Sequence, residues 1–122
     1  MKVIVLGAGL VGAPMAFDLA KGSEFEVTVA DISRKNLEKF TGHNIATVEV
    51  DLDDEPALLE VLKNHDLVLN AVPGFMGYRT TERILKAGKN VVDISFFPED
   101  ALTLDGLAKE NGVTAIVDCG VA

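Results

Sequence analysis

The chain has few of the residues that build metal sites, disulfides and aromatic platforms. Its 122 residues include one Cys, two His, one Tyr and no Trp. The single Cys119 cannot close an internal disulfide, which fits a reducing compartment, and a cytoplasmic location is expected. There is no CxxC, and His43 and His65 stand alone in polar stretches, so no ligand set for structural zinc is apparent. Basic residues are also scarce: 11 Lys and Arg against 19 Asp and Glu give a formal net charge of −8. A surface of that sign repels nucleic acid and anionic lipid, so neither is an expected partner. No apolar run reaches the roughly 18 residues of a bilayer span. The remainder is 48% hydrophobic, enough for one domain over 1–122 with a sizeable core.

Apolar runs alternate with helix-period stretches from end to end. Val3–Leu6, Val27–Ala30, Thr47–Val50, Leu67–Val72, Val91–Ile94 and Val113–Val117 read as strands. Between them, Leu10–Lys21 places Val11, Met15 and Leu19 four apart on one helix face, and Arg34–Phe40 is a short helix closed by Gly42. Asp54-Glu55-Pro56 is a helix start, with a capping carboxylate followed by Pro in the first turn. Arg79–Ala87 ends at Gly88, and Pro98–Glu110 ends at Asn111-Gly112. Continuous apolar strands indicate burial on both faces of a parallel sheet, and strand–helix alternation gives right-handed crossovers. The expectation is an α/β doubly wound parallel six-stranded sheet of order 3-2-1-4-5-6, the Rossmann arrangement.

The chain opens MKVIVLGAGLVGAPM, which superficially resembles a secretory leader. Removing it would delete the first strand and helix of an otherwise complete pattern. Gly7, Gly9 and Gly12 form GxGxxG, directly after a predicted strand and opening a predicted helix. Gly7 suits the tight turn, Gly9 lets backbone approach a pyrophosphate, and Gly12 lets the helix pack on the sheet. The helix N-terminus offers free N–H groups to phosphate. Asp31 closes the second strand 19 residues after Gly12, where a carboxylate accepts from ribose hydroxyls and repels a 2′-phosphate. That points to NAD, while Arg34 and Lys35 close by keep NADP open. Asp51, ending the third strand, is either an adenine contact or a loop carboxylate; Asp53 and Asp54 read as loop and cap residues.

Ligands of such sheets lie beyond the strand carboxyl ends, at the switch point between strands 1 and 4. Ala71, Val72, Pro73 and Gly74 should line the cofactor, and the following Phe75, Met76 and Tyr78 are more apolar than a plain surface loop needs. Asp93 and Asp118 end strands five and six and point at the same crevice; as polar groups in apolar strands they need partners. Cys119 reads as a small buried thiol rather than a nucleophile.

GAGLVG, the acidic end of strand two, NAVPG, VVDIS and the terminal DCGVA together resemble the N-terminal domain of saccharopine dehydrogenase-like oxidoreductases, a family that includes saccharopine reductases, lysine dehydrogenases and carboxynorspermidine dehydrogenases. The resemblance covers the entire chain. It implies that Gly7, Gly9, Leu10, Val11 and Gly12 hold a pyrophosphate, Asp31 the ribose and Asp51 the adenine, with Ala71, Val72 and Pro73 beside the nicotinamide half. Gly74, Phe75, Asp93, Ser95, Phe96 and Asp118 would border the substrate pocket. The family's Pro-Gly would follow just after Ala122, so a C-terminal substrate domain is the expected missing partner. An exposed crevice makes self-association an expectation. The implied activity is NAD(P)-dependent hydride transfer at a C–N bond of an amino acid or imine, with no catalytic acid or base identified. The competing reading is an NAD-sensing regulatory domain of the potassium-transport type, against which the apolar NAVPGFMGY lip argues.

Overall fold

The computed structural model describes residues 1–95, 97, 99 and 101–117. In chain order the elements are β1 (Lys2–Leu6), α1 (Gly12–Leu19), β2 (Glu26–Asp31), α2 (Arg34–Glu38), β3 (Ile45–Glu49), α3 (Glu55–Leu62), β4 (Leu67–Asn70), α4 (Gly74–Lys86), β5 (Asn90–Asp93), a 3-10 turn (Ala101–Leu104), α5 (Asp105–Glu110) and β6 (Ala115–Ile116). The six strands form one sheet in the order β3-β2-β1-β4-β5-β6, every pairing parallel. The doubly wound arrangement expected from the alternation is therefore the one observed.

Both faces of the sheet are covered. Along β1, Ile4 and Leu6 join Leu58 and Leu62 of α3 and Ile84 and Leu85 of α4 on one side. Val3 and Val5 join Ala13 and Ala16 of α1 with Leu37 and Phe40 on the other. These four β1 side chains are fully buried, and Lys2 at the start of the strand is exposed. At roughly 1.5–3 kcal/mol per buried aliphatic side chain, this packing rather than helix propensity holds helices as short as α2 and α3. Local signals set their starts. Ser33 accepts from the Asn36 N–H (3.2 Å) and Asp54 from the Ala57 N–H (3.4 Å), with Pro in the first turn of α3. No helix among the described residues is long and apolar enough to cross a membrane.

Four expectations are corrected. The fully buried residues of α1 are Gly12, Ala13 and Ala16; of the expected stripe, Met15 and Leu19 pack half-buried against the core and Val11 does not. Val11 is 56% exposed, because a helix this close to a sheet has room only for small residues. Helix α4 begins at Gly74, five residues before the expected Arg79; its first turn, Gly74-Phe75-Met76-Gly77, is rich in glycine and hides from propensity. Strand β3 starts at Ile45, paired with Val27, since as an edge strand only its Ile45 is fully inside. The stretch expected as one helix from Pro98 is a 3-10 turn followed by α5, and Pro98 lies outside the described residues.

A Cβ at Gly12 would overlap the Gly7 carbonyl oxygen and approach the Ala71 Cβ to 3.2 Å. Gly12→Ala should therefore lower stability by about 1–3 kcal/mol in urea unfolding. Gly106→Ala on α5, where a Cβ meets nothing within 4 Å among the described residues, should leave stability unchanged or raise it by up to ~1 kcal/mol.

Candidate functional site

The carboxyl ends of β1, β2 and β4 are tied together by backbone bonds beyond the strands. The Gly7 N–H donates to the Ala30 carbonyl (2.8 Å), Ala71 N–H to Leu6 (2.8 Å) and Ile94 N–H to Asn70 (3.0 Å). Gly7 adopts φ 102°, a region that strains any side chain, and a Cβ there would lie 2.6 Å from the Ala71 oxygen. Gly7 and Gly12 are thus required by the fold itself. Gly9 differs: a Cβ there meets nothing within 4 Å among the described residues, so its bare backbone faces open space. Val11 caps α1 without a side-chain hydrogen bond; the Ala13 N–H donates to the Gly9 carbonyl (3.2 Å) and Pro14 has none, so the Gly12 N–H is the first-turn donor left for a ligand.

Asp31 stands at the end of β2 with both carboxylate oxygens engaged. One accepts from the Ala8 N–H inside the glycine turn and the other from the Ser33 N–H, each at 2.7 Å. The next peptide is held by Lys39 Nζ, which donates to the Ala8 carbonyl at 3.0 Å. The carboxylate is fixed in place and keeps further lone pairs for ligand hydroxyls. Arg34, the nearest Arg in sequence, is turned to Glu49 at 2.8 Å, and that pairing raises its pKa.

After β3 the acidic run organises itself. Asp51 accepts from the Asp53 N–H at 3.0 Å, forming a tight turn. Asp53 receives a bidentate pair from Arg79 of α4, 2.6 Å and 2.9 Å, and its carbonyl receives Arg83 at 3.0 Å. These contacts hold the Asp53 carboxyl below its usual range, the Arg79 hydrogen bonds being the largest cause. Asp54 is the α3 cap expected of it.

A cavity of about 650 Å³ runs along these strand ends, from Gly7 and Gly9 past Asp31 and Asp51 to Ala71, Val72 and Pro73, ending at Ile94 and Ser95. It brings together most of the residues singled out from sequence, including Leu10 and Val11. Gly12 lies behind it as packing. Gly74 and Phe75 are not in its wall; they begin α4, and Phe75 is 71% exposed. Tyr78 turns away, its ring edge-on to Phe97 with centroids 5.5 Å apart. Asp93 is fully buried beneath the wall, bonded to Asn70 and Ser95. Phe96, Asp118 and Cys119 lie outside the described residues.

Sequence reasoning missed several lining residues. Ile32, Ser33 and Asn36 follow Asp31 around the α2 start, and Leu52 and Asp53 follow Asp51. Their closeness to two flagged carboxylates was the available signal. Asn70 was also overlooked; a fully buried amide at the last position of an apolar strand was its mark.

The model of the family described as "Saccharopine dehydrogenase NADP binding domain" matches residues 3–116. A saccharopine dehydrogenase [NADP(+), L-glutamate-forming] from Pyricularia oryzae is 27% identical over 98% of this chain and 27% of its own length. Among solved structures, apo saccharopine dehydrogenase (L-Glu forming) from Saccharomyces cerevisiae superposes with TM-score 0.77 at 26% identity, over 93% of this chain and 26% of that one. A 3-ketoreductase from Actinomadura kijaniata in complex with NADP and TDP-benzene gives TM-score 0.74 at 26% identity, over 93% of this chain and 35% of that one. The chain thus spans about a quarter of the length of the fungal relatives it matches.

The Asp53–Arg79 pair generates a pH-dependent prediction. A carboxyl whose folded pKa lies below its unfolded value contributes stability above the ordinary carboxylate range and loses it as pH falls through the folded value. The wild type should melt above Asp53→Asn at pH 7, and the gap should close as pH drops below about 4. Melting curves from pH 7 to pH 3 measure this.

Proposed function

The chain belongs to the family of saccharopine dehydrogenase NADP binding domains, and we propose that its cleft holds a nicotinamide adenine dinucleotide, NAD in preference to NADP, for an oxidoreductase acting at a C–N bond of an amino acid or imine. The observation that carries this reading is the Asp31 carboxylate, fixed at 2.7 Å to the Ala8 N–H at the lip of the glycine turn. The residues present suit the group. Bare backbone at Gly9 and the first turn of α1 would take the pyrophosphate, Asp31 the adenosine ribose and Asp51 the adenine amine. Ala71, Val72 and Pro73 would line the nicotinamide half. When bound, the dinucleotide supplies the hydride chemistry; the protein contributes binding, orientation and electrostatics.

The preference for NAD rests on charge. Asp31 places a negative group where a 2′-phosphate would lie, and Arg34 is already paired with Glu49. The fungal relatives are named for NADP(+). A preference for NAD therefore distinguishes this chain from them, and the family membership makes NADP the reading to test against it. Substrate contacts and turnover are assigned to a further domain of the kind the longer relatives have room for, with the dinucleotide as the ligand of this one.

Calorimetric titration with NAD⁺, NADH, NADP⁺ and NADPH tests the assignment. Saturable binding favouring the unphosphorylated pair is expected. Asp31→Ala should weaken that pair about tenfold or more, the loss of charge-assisted bonds. Gly9→Val should abolish binding while leaving the fold intact. Tighter binding of the phosphorylated pair would move the specificity role to Arg34 and Lys35, and binding of none would overturn the reading of the glycine turn.

A further inference from the structure

We propose that Lys39 is a positioning residue for the glycine turn. Its ammonium holds the Ala8–Gly9 peptide in one orientation, with the carbonyl turned to Lys39 and the Gly9 N–H left to donate to the pyrophosphate of a dinucleotide. This rests on the dinucleotide reading and adds to it the side chain that sets the turn.

The orientation follows from the geometry of a peptide. Lys39 Nζ donates to the Ala8 carbonyl at 3.0 Å. The C=O and N–H of a trans peptide point in opposite directions, so the Gly9 N–H points away from Lys39. Gly9 lines the cavity and Lys39 does not. Among the described residues the Gly9 N–H has no partner, while the Gly9 carbonyl is taken by the Ala13 N–H at 3.2 Å. The unspent donor of this peptide is therefore on the side opposite Lys39. A cationic donor on the carbonyl also polarises the peptide and strengthens its N–H as a donor to an anion.

Sterics alone do not set this peptide. Gly9 lies outside the positive-φ region that holds Gly7, and a Cβ there would meet nothing within 4 Å among the described residues. A glycine in open surroundings lets the peptide before it turn over, which would bring a carbonyl oxygen against a phosphate in place of an N–H. The bond from Lys39 opposes that. Lys39 is itself well anchored: it ends α2 between the buried Leu37 and Phe40, and the Phe40 ring packs on Phe17 of α1 with centroids 4.8 Å apart. Among the described residues Lys39 pairs with no carboxylate, so its head group is committed to the turn. Helix α2 thus returns to Ala8 from both ends, through Ser33 and Asp31 to the N–H and through Lys39 to the carbonyl. Asp31 and Ser33 line the cavity and are open to the ligand; Lys39 acts only through the peptide.

Titration of the wild type and Lys39→Met with NAD⁺ and with adenosine, followed by amide resonances, reads the clamp. Methionine keeps the aliphatic stem and removes the donor. The variant should bind NAD⁺ about 3- to 10-fold more weakly, the range of one hydrogen bond, and adenosine, which has no pyrophosphate, as tightly as before. The factor should persist in high salt, because an oriented peptide is not screened as a surface charge is. Without ligand, the Gly9 amide resonance should move or broaden in the variant while those of Asn44 and His65 stay. Lys39 is exposed, so the variant should fold, and Lys39→Ala gives a second reading. Unchanged NAD⁺ affinity in both variants overturns the proposal. So does an equal loss for adenosine, which general loosening of the fold predicts, or a factor that vanishes in high salt, which direct attraction of phosphate by the ammonium predicts. These outcomes leave the dinucleotide reading standing; failure of the wild type to bind NAD⁺ overturns both.

Discussion

The architecture of this cleft depends on one close approach, that of α1 to the ends of β1 and β4. At Gly12 a single added carbon would meet the Gly7 carbonyl and the Ala71 side chain. The helix lies so low because its buried face is glycine and alanine. That low helix fixes the path of the Gly7–Gly9 turn, and the turn in turn presents the Ala8 N–H to Asp31 and leaves Gly9 facing open space. Backbone bonds from Gly7 to Ala30 and from Ala71 to Leu6 then hold the three strand ends at a common level. A turn of this kind is made of backbone, so what the sequence must supply is the absence of side chains in two places and a carboxylate in a third.

Asp31 joins two layers of this organisation. It braces the protein, through Ala8 and Ser33, and it remains available at the mouth of the cavity. Lys39 holds the same Ala8 residue through its carbonyl oxygen. Across the cavity, Asp53 is clamped to α4 by Arg79 and Arg83, joining the loop after β3 to the helix that covers β4. The cleft is thus walled by elements locked to one another by charged side chains at its rim, while its floor is apolar sheet. Charges at an exposed rim cost little desolvation and contribute little stability; their effect is to fix where the walls stand.

The fold was legible because its signals were redundant. Most strands are apolar runs, and alternation with right-handed crossovers indicates a doubly wound sheet, for which six strands with a glycine turn after the first suggest the order 3-2-1-4-5-6. The glycine turn and Asp31 were legible because their spacing has a mechanical cause. Features decided by tertiary contact were not. The start of α4 at Gly74 runs against the low propensity of its two glycines, one of which is needed because Ser95 lies against it. The period of α1 points to Met15 and Leu19, which do pack on the core, but not to Gly12, Ala13 and Ala16, because size rather than hydrophobicity selects residues that touch a sheet this closely. Asp93 was placed at the crevice from its strand position alone; its neighbours Asn70 and Ser95, 23 residues before it and two after, show it to be interior. No one-dimensional pattern marks such a cluster.

Whether a dinucleotide lies along the carboxyl ends of β1, β2 and β4 is read most directly by amide chemical-shift mapping of the isotopically labelled chain during titration with NAD⁺. Saturable shifts are expected at Gly9, Leu10, Val11, Ser33 and Val72, with the opposite end of the sheet, around Lys2, Asn44 and His65, unmoved. Shifts centred on that opposite end, or none at the glycine turn at saturating ligand, would contradict the dinucleotide reading.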